Sequence, residues 1–257
     1  MRKLYNFAKN ILDKFNYTIE HKNSWYKRQE NFLAEIEDDD KDFLTKMNNY
    51  TMCKPANHWA IIQSLHHIKD KKIEGDVVEC GIYKGGNLIL FDYLIDKLNL
   101  KNTKIYGYDT FDGMTEPGVN DNDLKNKSAI LTKNNYEKIQ NTKWCYSSEN
   151  EVIKNIKKFT KGYEKFNLIK GDVLKTLDYD NNIPEKISLL RLDTDFYEST
   201  LKELEILYPR LEKNGILIID DYGHWQGARK AVDEYFNLKE NFKWFHRIDY
   251  ASRLLIK

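Results

Sequence analysis

The sequence predicts an α/β fold with a mostly parallel sheet of seven strands and helices on both faces. Short apolar segments of strand length alternate with helical segments along most of the chain, the pattern typical of parallel sheets. Acidic or glycine-rich residues follow several of these strands, as at the ligand-binding edge of such a sheet. A chain of 257 residues that is 41% hydrophobic can bury the core of one large domain. We expect this domain at residues 51–257, after a helical extension at residues 1–50.

Each element is predicted from its own apolar pattern. The five parallel strands are expected at residues 76–80, 104–109, 166–172, 187–192 and 215–219. Two further strands, at 244–248 and 252–256, are expected to form an antiparallel hairpin at the end of the chain. Helices are expected at 58–69, from the glycine turn after the first strand to residue 98, at 198–211 and at 228–236.

Two segments fit this alternation poorly. Near the N-terminus, residues from Leu4 to Phe15 have helical apolar spacing, which predicts a helix that packs on its own domain or on a dimer partner. A helix lying on a membrane surface is the alternative. We therefore expect a homo-oligomer, and specifically a dimer. Residues 114–150 are expected to form a lid or substrate insertion, with a plain surface excursion as the alternative.

Composition excludes several function classes. The formal charge of +1 disfavours a dedicated nucleic-acid binder, which would carry a basic surplus. The sequence has no apolar run long enough for a transmembrane helix and no signal-type segment at its start. Cys53, Cys80 and Cys145 form no Cys-x-x-Cys pair, so we expect a reduced, cytoplasmic location.

Four aspartates stand at the ends of two apolar strands. Asp193 and Asp195 follow the fourth strand, and Asp220 and Asp221 close the fifth. The carboxyl ends of adjacent parallel strands meet at one edge of the sheet, so the four acids are expected to lie together. Such a cluster needs protons or a cation, and oxygen-only ligands suit Mg²⁺. The alternative is a salt-bridged cluster in which arginines compensate the acids, the nearest in sequence being Arg191 and Arg229.

A glycine turn follows the first strand. Gly81 and Gly85 would let the backbone turn tightly and approach a ligand near the start of the next helix. The dinucleotide fingerprint G-x-G-x-x-G would require glycine at Tyr83, so an NAD-type oxidoreductase is disfavoured. Glu79 is the acid near the end of the first strand, one residue before Cys80 and the turn.

Acids also end the second and third strands. Asp109 could accept hydrogen bonds from a ribose diol or could serve as a helix cap or turn residue. Asp172 could meet an adenine edge or could be a turn aspartate. Together with Glu79 and the glycine turn, these acids outline a pocket for S-adenosylmethionine.

These motifs resemble the macrocin O-methyltransferase (TylF-type) family of class I S-adenosylmethionine-dependent enzymes, which methylate sugar hydroxyls. The resemblance covers about residues 50–257. The matching segments are residues 51–52, 78–86, 108–113, 192–197 and 220–231.

The resemblance implies a Rossmann-like class I methyltransferase fold and a metal-dependent O-methyltransferase. The acceptor would be a sugar hydroxyl of a glycan precursor or a glycosylated metabolite. Asp193, Asp220 and Asp221 would ligate Mg²⁺, and Asp195 would be the catalytic base. S-adenosylmethionine would be bound by Glu79, Gly81, Tyr83, Gly85, Asp109, Thr110, Asp172 and Asp193.

Other functions remain open at the level of sequence. One is a catechol-type phenolic O-methyltransferase, and another is a non-catalytic nucleotide-binding or partner-binding module of the same fold. His224 and Trp225 follow the second aspartate pair and would line the acceptor pocket. Trp225 could stack on a sugar ring or could cap the core.

Overall fold

The computed structural model describes residues 34–257. The predicted N-terminal helix between Leu4 and Phe15 lies outside the described residues. The helices are α1 (Asp38–Met47), α2 (Pro55–Lys71), α3 (Gly86–Leu98), α4 (Ala129–Gln140), α5 (Glu149–Phe159), α6 (Val173–Thr176), α7 (Tyr197–Ile206) and α8 (Gln226–Tyr235). The strands are β1 (Asp76–Cys80), β2 (Ile105–Asp109), β3 (Phe166–Lys170), β4 (Ile187–Leu192), β5 (Leu211–Ile219), β6 (His246–Arg247) and β7 (Arg253–Ile256).

The strands form one sheet of seven in the order β3-β2-β1-β4-β5-β7-β6. Strands β1 to β5 pair in parallel, whereas β7 runs antiparallel to β5 and β6 antiparallel to β7. The predicted class, a mostly parallel seven-stranded sheet with an antiparallel C-terminal hairpin, is confirmed. Strand order reverses between β1 and β4, and ligands bind at such a crevice in open α/β sheets.

Apolar side chains fill both faces of this sheet. All six residues of β4 are buried, as expected for a central strand covered on both sides. Ile61 of α2 and Leu88 of α3 belong to the core on one face. Leu204 of α7 and Val232 of α8 belong to the core on the other face. The prediction of helices on both faces is therefore confirmed.

Several predicted element boundaries are wrong, and the largest differences lie between α7 and β5. The helix expected at 198–211 ends at Ile206 and is followed by a 3₁₀ turn at Tyr208–Arg210. Pro209 lies in this turn and has no backbone N–H to continue a helix. The fifth strand consequently begins at Leu211, four residues before the predicted start at 215.

The segment expected as an insertion contains regular structure that the alternation did not predict. It includes α4 and leads into α5, which Ser148 caps by accepting a hydrogen bond from the Glu151 N–H. Asp121 fastens this segment to the core, because its Oδ1 accepts from the Tyr197 N–H at 2.9 Å, at the start of α7. The Gln226 N–H, at the start of α8, donates to the Asn122 carbonyl at 2.8 Å. The insertion is thus anchored at the N-termini of two helices.

Two further findings concern the described part of the chain. No helix within residues 34–257 has both the length and the apolar character that crossing a membrane requires. Cys53, Cys80 and Cys145 are all unpaired.

Candidate active site

Two cavities meet at the carboxyl edge of the sheet. The donor-side cavity, of about 710 Å³, extends over the ends of β1, β2 and β3. The acid-side cavity, of about 1030 Å³, extends over the ends of β1, β4 and β5. Both are lined by Gly81, Tyr83, Asp193 and Asp195, so a group bound in one cavity can touch a group bound in the other.

The glycine turn brings the ends of β1 and β4 close together. Gly81 has φ of +82°, and a Cβ at this position would collide with the Asp193 carbonyl oxygen. A larger residue would therefore separate the two strand ends. Gly85, with φ of +81°, caps α3 and packs against Val152 of α5. Gly85 shapes the turn, and the residues that line the donor-side cavity are its neighbours Gly81 and Tyr83.

Asp109 fastens this turn to the end of β2. Its Oδ2 accepts hydrogen bonds from the N–H groups of Ile82 at 2.9 Å and Tyr83 at 3.2 Å, and its Oδ1 accepts from Phe111 at 2.7 Å. Burial raises the pKa of Asp109, and these three hydrogen bonds oppose the shift. The carboxylate lines the donor-side cavity from a fixed position.

Thr110 and Asp172 complete the same wall of the donor-side cavity. The Thr110 hydroxyl donates to the Gly113 carbonyl at 2.6 Å and so holds the loop after β2. Asp172 caps the short helix α6 by accepting from the Leu174 N–H at 3.0 Å. Asp172 is thus a turn aspartate, one of its two predicted roles, and it also lines the cavity.

A buried arginine lies beneath the aspartates. Arg191 is 1% exposed, and its Nη1 donates to Glu79 Oε1 and to Asp193 Oδ2, both at 2.6 Å. Its Nη2 donates to Asp220 Oδ1 at 2.7 Å. The salt-bridged alternative from the sequence therefore holds for Arg191, whereas Arg229 instead donates to the Tyr222 carbonyl at 3.2 Å.

This arrangement separates Glu79 from the donor-side cavity. Glu79 is buried, accepts from Asn87 Nδ2 at 2.8 Å as well as from Arg191, and lines the acid-side cavity. Burial raises its pKa, and Arg191 opposes the shift. In this structure, Glu79 holds the Arg191 side chain in place through their salt bridge.

Asp193, Asp195 and Asp221 converge above the arginine. Each offers one oxygen atom, and these atoms all lie within 4.8 Å of one another. Asp220 stands outside this group because Arg191 and the Ser252 hydroxyl both donate to its Oδ1. Within residues 34–257, the buried Oδ2 of Asp221 has no hydrogen-bond partner. Clustered hard oxygen donors and an unsatisfied buried oxygen fit a divalent cation such as Mg²⁺.

Asp195 has an unusual backbone conformation and a raised side-chain pKa. Its φ of +69° lies in the left-handed region, which non-glycine residues rarely adopt. Burial raises the pKa of Asp195 to about 7, and the neighbouring charges of Asp193 and Asp220 add to the shift. Burial also raises the pKa of Asp221 well above its usual range, together with the charge of Asp195. In the absence of a cation, Asp195 and Asp221 therefore share protons readily.

Aromatic residues close the acid-side cavity. Trp225 is 3% exposed and packs edge-on against Phe196 and Trp144, with ring centroids 6.0 and 6.1 Å apart. It caps the core, the second of its two predicted roles, and its proximity to Asp195 lowers the pKa of that acid. The exposed aromatic ring in this cavity is Tyr250, whose hydroxyl lies 3.2 Å from His224 Nδ1.

Several lining residues were not identified from the sequence. The insertion contributes Trp144 to the acid-side cavity and Cys145 to both cavities. Met52, which precedes α2, also lines both. The strand-end pattern gives no signal for these residues, because none of them ends a strand.

The family model for macrocin-O-methyltransferase (TylF) matches residues 4–255 of the chain. This protein belongs to the TylF family. The match includes most of the segment that the sequence motifs left out, from residue 4 onward.

Known relatives of this TylF-family protein are O-methyltransferases. The chain is 27% identical over 218 residues to the demethyldecarbamoylnovobiocin O-methyltransferase of Streptomyces niveus, covering 84% of this chain and 78% of that enzyme. It is 25% identical over 211 residues to the mycinamicin III 3''-O-methyltransferase of Micromonospora griseorubida, covering 79% of this chain and 76% of that enzyme.

A solved structure agrees with these relatives. The O-methyltransferase NovP superposes with a TM-score of 0.69 at 25% sequence identity, covering 81% of this chain and 82% of NovP. The fold is that of class I methyltransferases, as the resemblance implied. The TylF-family protein is therefore an S-adenosylmethionine-dependent O-methyltransferase.

Proposed function

We propose that this TylF-family protein transfers a methyl group from S-adenosylmethionine to a sugar hydroxyl of a glycan precursor or glycosylated metabolite. The observation that carries the proposal is the meeting of the two cavities at Asp193 and Asp195. The methyl donor occupies the donor-side cavity and the acceptor hydroxyl enters from the acid-side cavity. Transfer then needs the two reactants only to be held in line, which accounts for much of the acceleration.

The donor is held by the residues around the glycine turn. Asp109 accepts hydrogen bonds from the ribose hydroxyls, and its fixed position makes it suited to this role. Asp172 and Thr110 meet the adenine side, while Gly81 and Tyr83 border the methionine part near Asp193. Glu79 and Gly85, also expected to bind the donor, support the site indirectly by holding Arg191 and by capping α3.

Asp195 is the proposed catalytic base. A base is most effective when its pKa lies near the working pH, and burial raises the pKa of Asp195 to about 7. Asp195 lines both cavities, so its carboxylate can accept the hydroxyl proton at the point where the methyl group arrives. Proton removal matters because a neutral sugar hydroxyl is a poor nucleophile.

Asp193, Asp220 and Asp221 would hold a divalent cation, of which Mg²⁺ is the proposed example. Arg191 and Ser252 bind Oδ1 of Asp220, and Oδ2 is the oxygen proposed to bind the ion. Asp221 would contribute its unsatisfied Oδ2, and Asp193 its Oδ1. When bound, such a cation supplies positive charge that lowers the pKa of a contacting hydroxyl.

The acceptor proposal rests on the residues that line the acid-side cavity and on the relatives. Tyr250 offers an exposed ring at the rim of this cavity. The names of the curated relatives describe methylation of novobiocin-type and mycinamicin-type compounds.

The proposal also assigns a role to each part of the chain. Residues 51–257 form the methyltransferase domain, and the insertion near 114–150 acts as a substrate lid, because Trp144 and Cys145 reach the cavities. Residues 1–50 form an extension that serves a homodimer. The three unpaired cysteines suit the reduced, cytoplasmic location expected from the sequence.

A transfer assay with labelled S-adenosylmethionine tests the function. The full chain is assayed with glycosides, sugar nucleotides and catechols, and product formation is compared with that of Asp195→Asn. Labelled methyl should appear on a sugar hydroxyl, and Asp195→Asn should abolish it. Transfer to catechols alone would favour the phenolic alternative. Binding of S-adenosylhomocysteine without turnover on any acceptor would favour the non-catalytic module.

A matched variant controls for loss of charge. Asp70 is exposed near the C-terminal end of α2. Asp70→Asn removes the same charge as Asp195→Asn and should leave transfer at the wild-type rate. An equal loss of rate in both variants would contradict the role of Asp195.

A further inference from the structure

A side-chain hydrogen bond lies beneath the turn that carries Asp193 and Asp195. The Thr194 hydroxyl donates to Glu203 Oε1 at 2.9 Å. Glu203 belongs to α7 and is 0% exposed. The bond therefore ties the middle residue of the active-site turn to the helix that packs underneath it.

Glu203 is a costly residue at this position. Burying a carboxyl group disfavours folding unless its oxygens find partners, and Oε2 has no hydrogen-bond partner within the described residues. Burial raises the pKa of Glu203 to about 8, and the Thr194 hydroxyl donates the hydrogen bond that opposes the shift. A leucine or methionine would fill the same core position at lower cost.

The turn itself needs external support. Asp195 adopts φ of +69°, and such strained residues persist only when their surroundings hold them. The Thr194 carbonyl accepts from the Phe196 N–H at 2.8 Å and from the Ser199 hydroxyl at 3.3 Å. These bonds fix the backbone of Thr194, and Glu203 fixes its side chain.

The direction of the Thr194 side chain determines where its neighbours point. The hydrogen bond to Glu203 holds the Thr194 side chain in one direction and so fixes the middle of the turn. Thr194 lines the donor-side cavity, and the acids on either side of it, Asp193 and Asp195, line both cavities. A turn free to rotate at Thr194 would lose this alignment.

We propose that Glu203 is a positioning residue for methyl transfer, acting through Thr194 on the placement of Asp195. The inference rests on the proposed role of Asp195 as the base. Glu203 touches neither reactant, and its contribution is to hold the turn in the one conformation that presents the carboxylate to the acceptor.

Variants at both ends of the bond test this inference. Thr194→Val keeps the side-chain shape and removes the hydroxyl, whereas Thr194→Ser keeps the hydroxyl and is the matched control. Thr194→Val should lower kcat about 10- to 100-fold, because small displacements of a reacting group have effects of this size. Thr194→Ser should regain most of the rate. Because Thr194 lines the donor-side cavity, KM for S-adenosylmethionine is compared in Glu203→Met, where it should change less than about twofold while kcat falls.

A double variant keeps the test decisive if Thr194→Val folds poorly. Thr194→Val leaves the buried Glu203 carboxyl without its donor, so this variant can lose stability. Replacing both partners by apolar groups, as in Thr194→Val with Glu203→Met, should restore stability and leave kcat low. A slow but stable double variant cannot be explained by unfolding.

Two outcomes overturn the inference and differ from each other. A kcat of the stable double variant within about twofold of wild type, while Asp195→Asn is inactive, would contradict the positioning role and leave the proposed function intact. Wild-type activity of Asp195→Asn would contradict the proposed base, and the positioning role would fail with it.

Discussion

The two pairs of aspartates differ in what holds them. The inner pair consists of Asp193, which follows β4, and Asp220, which follows β5. Each of them accepts a hydrogen bond from Arg191. Asp195 and Asp221, the outer pair, approach each other instead, and Arg191 donates to neither of them. Burial raises the pKa of both, as it does that of Asp193, where the Arg191 guanidinium opposes the shift. Each strand thus supplies one acid that is compensated within the protein and one that is not.

This difference follows from the number of positive charges that the site supplies. One guanidinium carries a single positive charge, and it already faces Glu79 as well as the inner pair. It cannot compensate the outer pair, which needs shared protons or a cation. We infer that the inner pair keeps the geometry of the site and offers its remaining oxygens to the cation. The outer pair supplies the proton acceptor, Asp195, and the cation ligand that has no partner of its own, Asp221.

Breaking the inner pair should have the largest effect. Arg191→Met leaves Glu79, Asp193 and Asp220 without their buried partner, which typically destabilises a protein by about 3–5 kcal/mol. Urea denaturation measures this free energy of unfolding. Arg191→Lys keeps the charge without the forked geometry and should lose less. A stability of Arg191→Met equal to that of wild type would contradict the importance of the inner pair.

Breaking the outer pair should abolish activity without this loss of stability. Asp195→Asn removes the proton acceptor, so kcat should fall by about 10²–10⁴. The free energy of unfolding should stay equal or rise, because the change relieves repulsion with Asp193 and Asp220. Steady-state kinetics and urea denaturation on the same preparation check both statements. A marked loss of stability in Asp195→Asn would contradict the proposed difference between the two pairs.

Glu203, which lies on α7 beneath the turn that follows β4, should make the stability of the protein depend on pH. Burial raises the pKa of Glu203 from its usual 4.5 to about 8 in the folded state, so the folded protein binds more protons than the unfolded chain between these values. Its stability contribution is therefore greatest below about pH 4.5 and is lost progressively up to about pH 8.

Glu203→Gln removes this titration and retains an acceptor for Thr194. The difference in unfolding free energy between Glu203→Gln and wild type should grow from pH 5 to pH 9 in favour of the variant, by about 1.4 kcal/mol for each unit of the pKa difference at most. Urea denaturation across this pH range measures it. A difference that is constant with pH would show that Glu203 is ionised in the folded protein.

The smallest expected effect concerns Trp225. The Trp225 indole lowers the pKa of Asp195, so Trp225→Phe should raise that pKa and move the acidic limb of the kcat–pH profile to higher pH. Trp144→Phe is the matched control, because Trp144 packs against Trp225. Equal profiles for both variants would indicate that Trp225 acts on Asp195 only through packing.

Much of this fold could be predicted because its strands carry strong local signals. Apolar runs followed abruptly by acids or glycine located β1 to β5, and the same pattern placed four aspartates at one edge. Helix α4 gave no such signal, because apolar residues such as Leu131 and Ile139 are exposed on it. Periodicity detects a buried face, and this helix has a small one.

The division of the site into an inner and an outer pair could not be predicted. Sequence spacing places Arg191 in a buried strand, but it does not show which acids the guanidinium reaches. An arginine within an apolar strand does indicate buried partners, since arginine is almost never fully buried alone. The Thr194–Glu203 bond depends on how α7 packs under the turn, and no local pattern encodes that contact.

The most direct test of the account is the dependence of sugar methylation on a divalent cation. Transfer is followed in the full chain after EDTA treatment and again after Mg²⁺ is added back in excess. We expect the rate to fall about 100-fold or more without the metal and to recover with Mg²⁺, because the outer pair lacks an internal counter-charge. An undiminished rate in EDTA would contradict the account and would leave shared protons as the only compensation for Asp195 and Asp221.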